Sequence, residues 1–390
     1  MPGAPAPTPP NRTAVRSRRS RVPSGRSSST PYAARLARLR AALRAAGYDG
    51  LVVSNPNDIR YLTPFSGEAS CAVVSQRKLV IISDSRFKEE LEALAPAFGF
   101  DLVIRRGDMH GALGGVLADL RLRTAAVQAE HMTVDMKARL ARSCGKCRLK
   151  DSVGLLAELR AIKDAEELAA IRRAIRIQES ALLAVLESLR PGQKESEVAA
   201  RLEFEMVLRG ASGPSFPTIV AAGANGSLPH ARPGTRRTAR GRTLLIDWGA
   251  RIDGYASDMT RTFALGKWPG KLREAYGVVL EAFSAAVAAV RPGLTCEQLD
   301  GIARSSITKA GFGDAFAHSL GHGIGLDVHE APRVAKGSRA ALRAGMVITI
   351  EPGVYLPGIG GVRIEDDILV TDSGGRSLCS LPKDIDWATL

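Results

Sequence analysis

The stretch "IDWGARIDGYASDMTRTF", residues 246–263, sets Asp247 and Asp258 eleven residues apart, with Gly249, Gly254 and several β-forming residues between them. Asp247 closes the apolar run "TLLID", which reads as the end of a buried strand, and the glycines allow a hairpin that returns Asp258 to its side. A carboxylate at the end of a buried strand needs a partner, because an unpaired charge removed from water is strongly disfavoured.

The pattern recurs downstream. "VITIEPGVY" ends a second apolar run on Glu351, and "GVRIEDD" supplies Glu365. Four of the six histidines, His230, His318, His322 and His329, lie in the same part of the chain, three of them within "HSLGHGIGLDVHE". Each residue alone has an ordinary reading: Asp247 could cap a turn, Glu365 could pair with Arg363, and a single histidine is more often a packed core residue than a ligand. Together they read differently. Carboxylates crowded into one cleft repel, and a divalent cation is the usual remedy. Four carboxylates and one imidazole form a hard, oxygen-rich set suited to two bridged ions, with manganese the best match on ligand softness and cobalt, iron or zinc as alternatives. Spacing alone leaves open whether His322 or His329 is that imidazole. Two neighbouring ions can activate a water and stabilise the oxyanion of an attacked carbonyl.

A chain of 390 residues, 45% of them apolar, is long enough for two cored domains. In "YAARLARLRAALRAAG" Leu36, Leu39 and Leu43 share one helical face, and a glycine ends the run. Short β-type runs follow ("GLVVS", "CAVVS", "KLVIIS"), then "ALGGVLADL" as a helix and "TAAVQ" as a strand, so residues 31–155 read as an α/β domain. At Lys163 a long amphipathic helix starts, with Asp164 and Glu167 spaced as a capping box, and residues 160–390 read as a second domain. Within it "RPG" at 190–192 and again at 291–293 is followed by a helical segment, ending at Gly210 and Gly311. The equal offset predicts two similar αβ halves with a cleft where they join.

The net charge of +14 is unevenly spread: residues 1–30 hold six arginines and no acid. That segment, rich in Pro and Ser, reads as a disordered basic tail. Elsewhere acids and bases intermingle, apart from local clusters such as "TRRTARGR", so no nucleic-acid partner is expected. No apolar run is long enough to span a bilayer, and no membrane partner is expected. Five scattered cysteines, including a lone "CGKC" with no second pair nearby, suit a reducing compartment, and we expect a cytoplasmic protein. His110 and His131 read as surface or packing residues of the first domain. There is no HExxH, GxSxG or phosphate-binding loop.

The succession "IDWGARIDGYASDMTRTF", "GHGIGLDVHE", "TIEPGVY" and "GVRIEDD" resembles the pita-bread metallopeptidases, in particular the aminopeptidase P and prolidase branch that cleaves Xaa-Pro bonds. The opening "RLARLRAALRAAGYDGLVVSNPNDIRYLT" resembles that branch's creatinase-like N-terminal domain. The resemblance implies an α/β (α+β) architecture in which that domain precedes a pita-bread catalytic domain of pseudo-twofold αβ repeats. It implies Asp247, Asp258, His322, Glu351 and Glu365 as ligands of two divalent ions, with Asp258 and Glu365 bridging. Glu351 would also relay the proton of the attacking water. His230 and His329 would contact the scissile carbonyl and substrate, while His318 and Arg363 would line the pocket. The substrate would be a proline-containing peptide and the assembly a homodimer or higher homo-oligomer. An Xaa-Pro aminopeptidase is the first expectation and an Xaa-Pro dipeptidase the alternative. Methionine aminopeptidases of this superfamily usually lack both the N-terminal domain and the arginine before the last glutamate. Creatinase-type amidinohydrolases and non-catalytic binding modules lack the full acid and histidine set.

Overall fold

The computed structural model describes residues 31–390, so the arginine-rich segment 1–30, expected to be disordered, lies outside the described residues. The first helix, Pro31–Ala45, buries Leu39 and Leu43 completely. It shares a core with a six-stranded sheet ordered Asp101–Ile104, Leu79–Ser83, Cys71–Ser75, Gly50–Val53, Thr124–Gln128, Arg148–Ser152. Strands Gly50–Val53, Cys71–Ser75 and Leu79–Ser83 are buried at every position, which made them legible as continuous apolar runs. The two edge strands, "DLVI" and "RLKDS", have no buried residue and so leave no such mark in the sequence.

Helix Ala165–Ser188 opens on a complete capping box: Asp164 Oδ1 accepts the N–H groups of Glu166 and Glu167, and Glu167 Oε2 accepts that of Asp164 at 2.9 Å. Asp164 also receives Arg35 Nη2 from the first helix at 2.8 Å, tying the two units together. The internal repeat is present. Helices Glu195–Leu208 and Cys296–Lys309 have 14 residues each. Gly210 and Gly311 lie just past them with φ +98° and +83°, a conformation that costs glycine nothing and ends a helix. Each helix leads into three antiparallel strands, Ile219–Ala222, Thr243–Trp248 and Met259–Ala264 in the first half, Gly321–Gly323, Val347–Ile350 and Asp366–Thr371 in the second. The second sheet is wider, with Glu330–Val334 added at one edge and Gly374–Ser377 at the other.

In the opening stretch, Thr243–Trp248 pairs with Met259–Ala264 so that Asp247 faces Thr260, and Asp258 falls one residue before the strand. The excursion between them is a smaller hairpin, Ala250–Ile252 with Tyr255–Ala256, which joins Gly213–Pro214 in a separate sheet. Its turn is Asp253-Gly254, both at positive φ, the two-residue geometry that matches strand twist. A Cβ at Gly254 would also lie 2.2 Å from Arg60 Nη1 and force that side chain aside, because the N-terminal unit rests on this turn.

Candidate metal centre and substrate cleft

Where the two halves meet, a cavity of about 620 Å³ is lined by all nine residues singled out above: Asp247, Asp258, Glu351, Glu365, His230, His318, His322, His329 and Arg363. Strand ends bring the acids together. Asp247 and Glu351 come from the ends of the two central strands, Asp258 and Glu365 from the residues just before the strands beside them. The sheets meet through Glu365 N–H donating to the Thr260 carbonyl and Asp258 N–H donating to Asp367 Oδ2, both at 3.2 Å. Ligand atoms of Asp258, His322 and Glu365 lie within 4.8 Å of one another, all three residues being buried. His322 Nε2 is 3.7 Å from Asp258 Oδ2 and 3.4 Å from Glu351 Oε1.

The charge states fit that geometry. His322 Nδ1 donates to the Gly323 carbonyl at 3.1 Å, which leaves the Nε2 lone pair facing the acids. Burial, with His329 adding to it, lowers its pKa to about 4, so the ring is neutral at physiological pH. The four carboxyls all move the other way. Burial and then Glu365 and Asp247 hold Asp258 far above the usual carboxylate range. Burial and then Glu351 do the same for Glu365. Burial, reinforced by Asp247, pushes Glu351 to about 8. Burial raises Asp247 despite Arg363, whose Nη2 lies 2.6 Å from Asp247 Oδ2. Asp247 Oδ1 is buried with no hydrogen-bond partner among the described residues. Carboxyls so placed are anionic together only beside compensating positive charge, and an orphaned buried oxygen is the donor a cation would take. The residues present therefore fit divalent metal ions.

Around this set runs a directed hydrogen-bond chain. Arg363 donates from Nε to Thr260 Oγ1 at 2.9 Å and from Nη1 to the Tyr355 hydroxyl at 2.6 Å. Thr260 in turn donates from its hydroxyl to Glu365 Oε2 at 2.6 Å. Tyr355 donates to His318 Nε2 at 2.9 Å, and His318 Nδ1 donates to the Ser319 carbonyl at 2.8 Å. Burial and then Arg363 lower His318 to about 4, in keeping with a ring that accepts at Nε2, and burial holds the Tyr355 phenol up at about 12. His230 and His329 are exposed at the mouth of the cleft, the His329 ring edge-on to His322 at 4.3 Å between centroids. His110 and His131 lie elsewhere, against Asp108 and Ser54.

Sequence reasoning missed Tyr355, Thr260 and Arg333. Tyr355 and Thr260 stood in quoted motifs, but nothing in spacing tells a hydroxyl that bridges two site residues from one that does not. Arg333 is exposed, lines the cleft, and is the cross-strand partner of His322, so both side chains stand on one face of the sheet. It has no ion-pair partner among the described residues. Only the register of two short strands, with a bulge between His322 and Gly323, brings it there.

Comparison with known proteins follows the same lines. Residues 169–372 match the model of metallopeptidase family M24, and residues 35–162 match the creatinase/prolidase N-terminal domain. An Xaa-Pro dipeptidase of Pyrococcus furiosus is 45% identical over 231 residues, 59% of this chain and 66% of that protein. Among solved structures, an Xaa-Pro dipeptidase from Bacillus anthracis superposes with TM-score 0.88 at 36% identity, covering 92% of this chain and all of the other. An X-Pro aminopeptidase from Thermotoga maritima gives TM-score 0.82 at 32% identity, covering 90% and 100%. The acid-rich cleft between paired halves, its fit to divalent cations and these matches lead to one conclusion: the chain belongs to metallopeptidase family M24 and is a metallo-exopeptidase with a creatinase/prolidase N-terminal domain.

Proposed function

We propose that the protein is an Xaa-Pro dipeptidase acting with two divalent metal ions, manganese first and cobalt, zinc or iron as alternatives. Asp247, Asp258, His322, Glu351 and Glu365 would hold the ions. When bound, the ions supply Lewis acidity for the scissile carbonyl and lower the pKa of the attacking water. Glu351, a carboxyl whose burial raises its proton affinity, takes up the proton of that water and hands it to the departing imino nitrogen. His329 and His230 donate toward the carbonyl oxygen as negative charge develops on it. Arg363 and His318, locked together through Tyr355, hold Asp247 and the pocket wall in place.

One observation carries the choice of dipeptides over longer peptides. Arg333, an exposed guanidinium without a carboxylate partner among the described residues, stands on the same sheet face as His322. It suits the free carboxylate of a proline that ends the substrate, and a fork-shaped cation binds a carboxylate through two parallel hydrogen bonds. The aminopeptidase reading, first from sequence, has in its favour the likeness to the Thermotoga enzyme. The test is kcat/KM on Xaa-Pro against Xaa-Pro-Yaa. We expect the dipeptide to be preferred at least about tenfold, the effect of one charged hydrogen bond; a preference for the tripeptide returns the assignment to aminopeptidase.

No helix among the described residues is long and apolar enough to cross a membrane. Five free, buried cysteines support a cytoplasmic location. Exposed Phe204, Val207 and Leu208 on one helix support a homodimer or higher homo-oligomer, which sedimentation would test.

A further inference from the structure

The loop that carries His329 is held by a charged cluster that reaches into the N-terminal unit. Arg160, at the end of the connecting helix Leu155–Ala161, is buried and reaches three carboxylates. Its Nη1 lies 2.8 Å from Asp58 Oδ1 on helix Pro56–Leu62 of the N-terminal unit. Its Nη2 lies 2.6 Å from Asp327 Oδ2 and also binds Glu330 Oε1. Lys163 Nζ takes the other Glu330 oxygen at 3.0 Å. Asn57 of the N-terminal unit donates to Asp327 Oδ1 at 2.6 Å, and the Asp327 N–H donates to Glu330 Oε1 at 3.0 Å. Two cations thus face three anions in a largely buried cluster. Burial would raise Glu330, but Lys163 and Arg160 override it and hold the carboxyl at about 2, so Glu330 stays charged.

The anchors flank one residue. Asp327 lies two positions before His329 and Glu330 one position after it, so the residues on both sides of His329 are tied through their side chains to Arg160 while its imidazole stands exposed at the cleft mouth against the His322 ring. We infer that Arg160 is a positioning residue for turnover: it uses the N-terminal unit as a rigid reference against which His329 is aimed. This rests on the reading of His329 as the donor to the developing oxyanion. A planar guanidinium is suited to the task because its nitrogens point in fixed directions toward three acids at once, which a lysine ammonium on a flexible stem does not reproduce. Misplacing a reacting group by about 1 Å can cost on the order of 100-fold in rate.

The experiment is a double-mutant cycle on the full-length, metal-loaded protein with an Xaa-Pro dipeptide. Arg160→Lys is expected to lower kcat about tenfold or more with KM and bound metal little changed. In the His329→Ala background the same substitution should have no further effect on kcat, because the group it aims is gone. General damage to the fold would instead slow both backgrounds by the same factor, and that additivity overturns the inference, as does an Arg160→Lys enzyme with undiminished kcat. If Arg160→Lys does not fold, Asp327→Asn, a half-exposed partner in the same cluster, takes its place in the cycle with the same expected coupling. An undiminished kcat in His329→Ala alone overturns the role of His329 and the positioning claim together; additivity with a slow His329→Ala overturns the positioning claim by itself.

Discussion

The two halves of the catalytic domain place carboxylates at matching positions but supply unequal numbers of histidines, His230 in the first against His318, His322 and His329 in the second. In each, a carboxylate ends the central strand and a second precedes the strand beside it: Asp247 and Asp258, then Glu351 and Glu365. The support is also reciprocal. Thr260, two residues past Asp258, hydrogen-bonds Glu365, while Asp367, two residues past Glu365, accepts the N–H of Asp258. The third strands break the symmetry. Ile219 faces Asp247 in the first half, whereas the second has His322 within Gly321–Gly323 and an added strand carrying Arg333. Holding cations calls for charge spread evenly around them. A peptide with two unlike ends would call for an uneven arrangement, and the second half is the one whose sheet carries extra strands.

The largest expected effect tests the symmetric part. Asp258→Ala and Glu365→Ala should each lose at least about 1,000-fold in kcat/KM, a floor set by the upper range for losing one transition-state donor, together with most of the bound metal. Metal analysis showing full occupancy in either variant would break the equivalence of the halves. Next come the asymmetric residues. His329→Ala should lower kcat about 100-fold to 1,000-fold with metal retained, whereas His322→Ala should release metal; the opposite pattern would exchange their roles. Arg333→Leu should raise KM for an Xaa-Pro dipeptide about tenfold or more and leave kcat nearly unchanged, as expected for a group that binds the substrate end and not the reacting bond.

Removing metal probes the acids as a group. Glu351 is pushed up to about 8 by burial, and Asp247, Asp258 and Glu365 shift the same way. A carboxyl with a raised folded-state pKa contributes stability that is full below the unfolded value and lost as pH rises through the folded one. The metal-free protein should therefore melt lower as pH rises from about 5 to about 8.5, and metal should abolish that slope. Thermal melts at both pH values, with and without metal, check this; a flat metal-free profile would mean the acids are compensated without cations. The smallest effect concerns a residue that does not line the cleft. Thr295 caps the second repeat helix, accepting the Gln298 N–H at 3.2 Å, and Thr295→Ala should cost about 1 kcal/mol of stability with kcat unaltered.

The candidate site was largely legible because its acids interrupt apolar strand ends, and a charge at the end of a run such as "VITI" or "TLLI" is conspicuous against its neighbours. The central strands of the first sheet, the helix repeat and the capping box at Asp164 were legible for related reasons: burial and backbone geometry restrict which residues can stand there. The half-exposed edge strands Asp101–Ile104 and Arg148–Ser152 were not, since an edge that meets water imposes no apolar pattern.

What the sequence determined by itself was therefore the inventory: which acids and imidazoles are available, that they end strands, and that the catalytic domain is built twice. Direction and partnership came from the packing of distant segments. The order of donation from Arg363 through Tyr355 to His318, the placing of Arg333 across from His322, and the grip of Arg160 on residues 167 and 170 positions downstream all join segments distant in the chain. Periodicity and spacing report on a residue's neighbours within its own strand or helix. They carry no information on which other strand comes to lie beside it, and the chemistry of this cleft depends on that register.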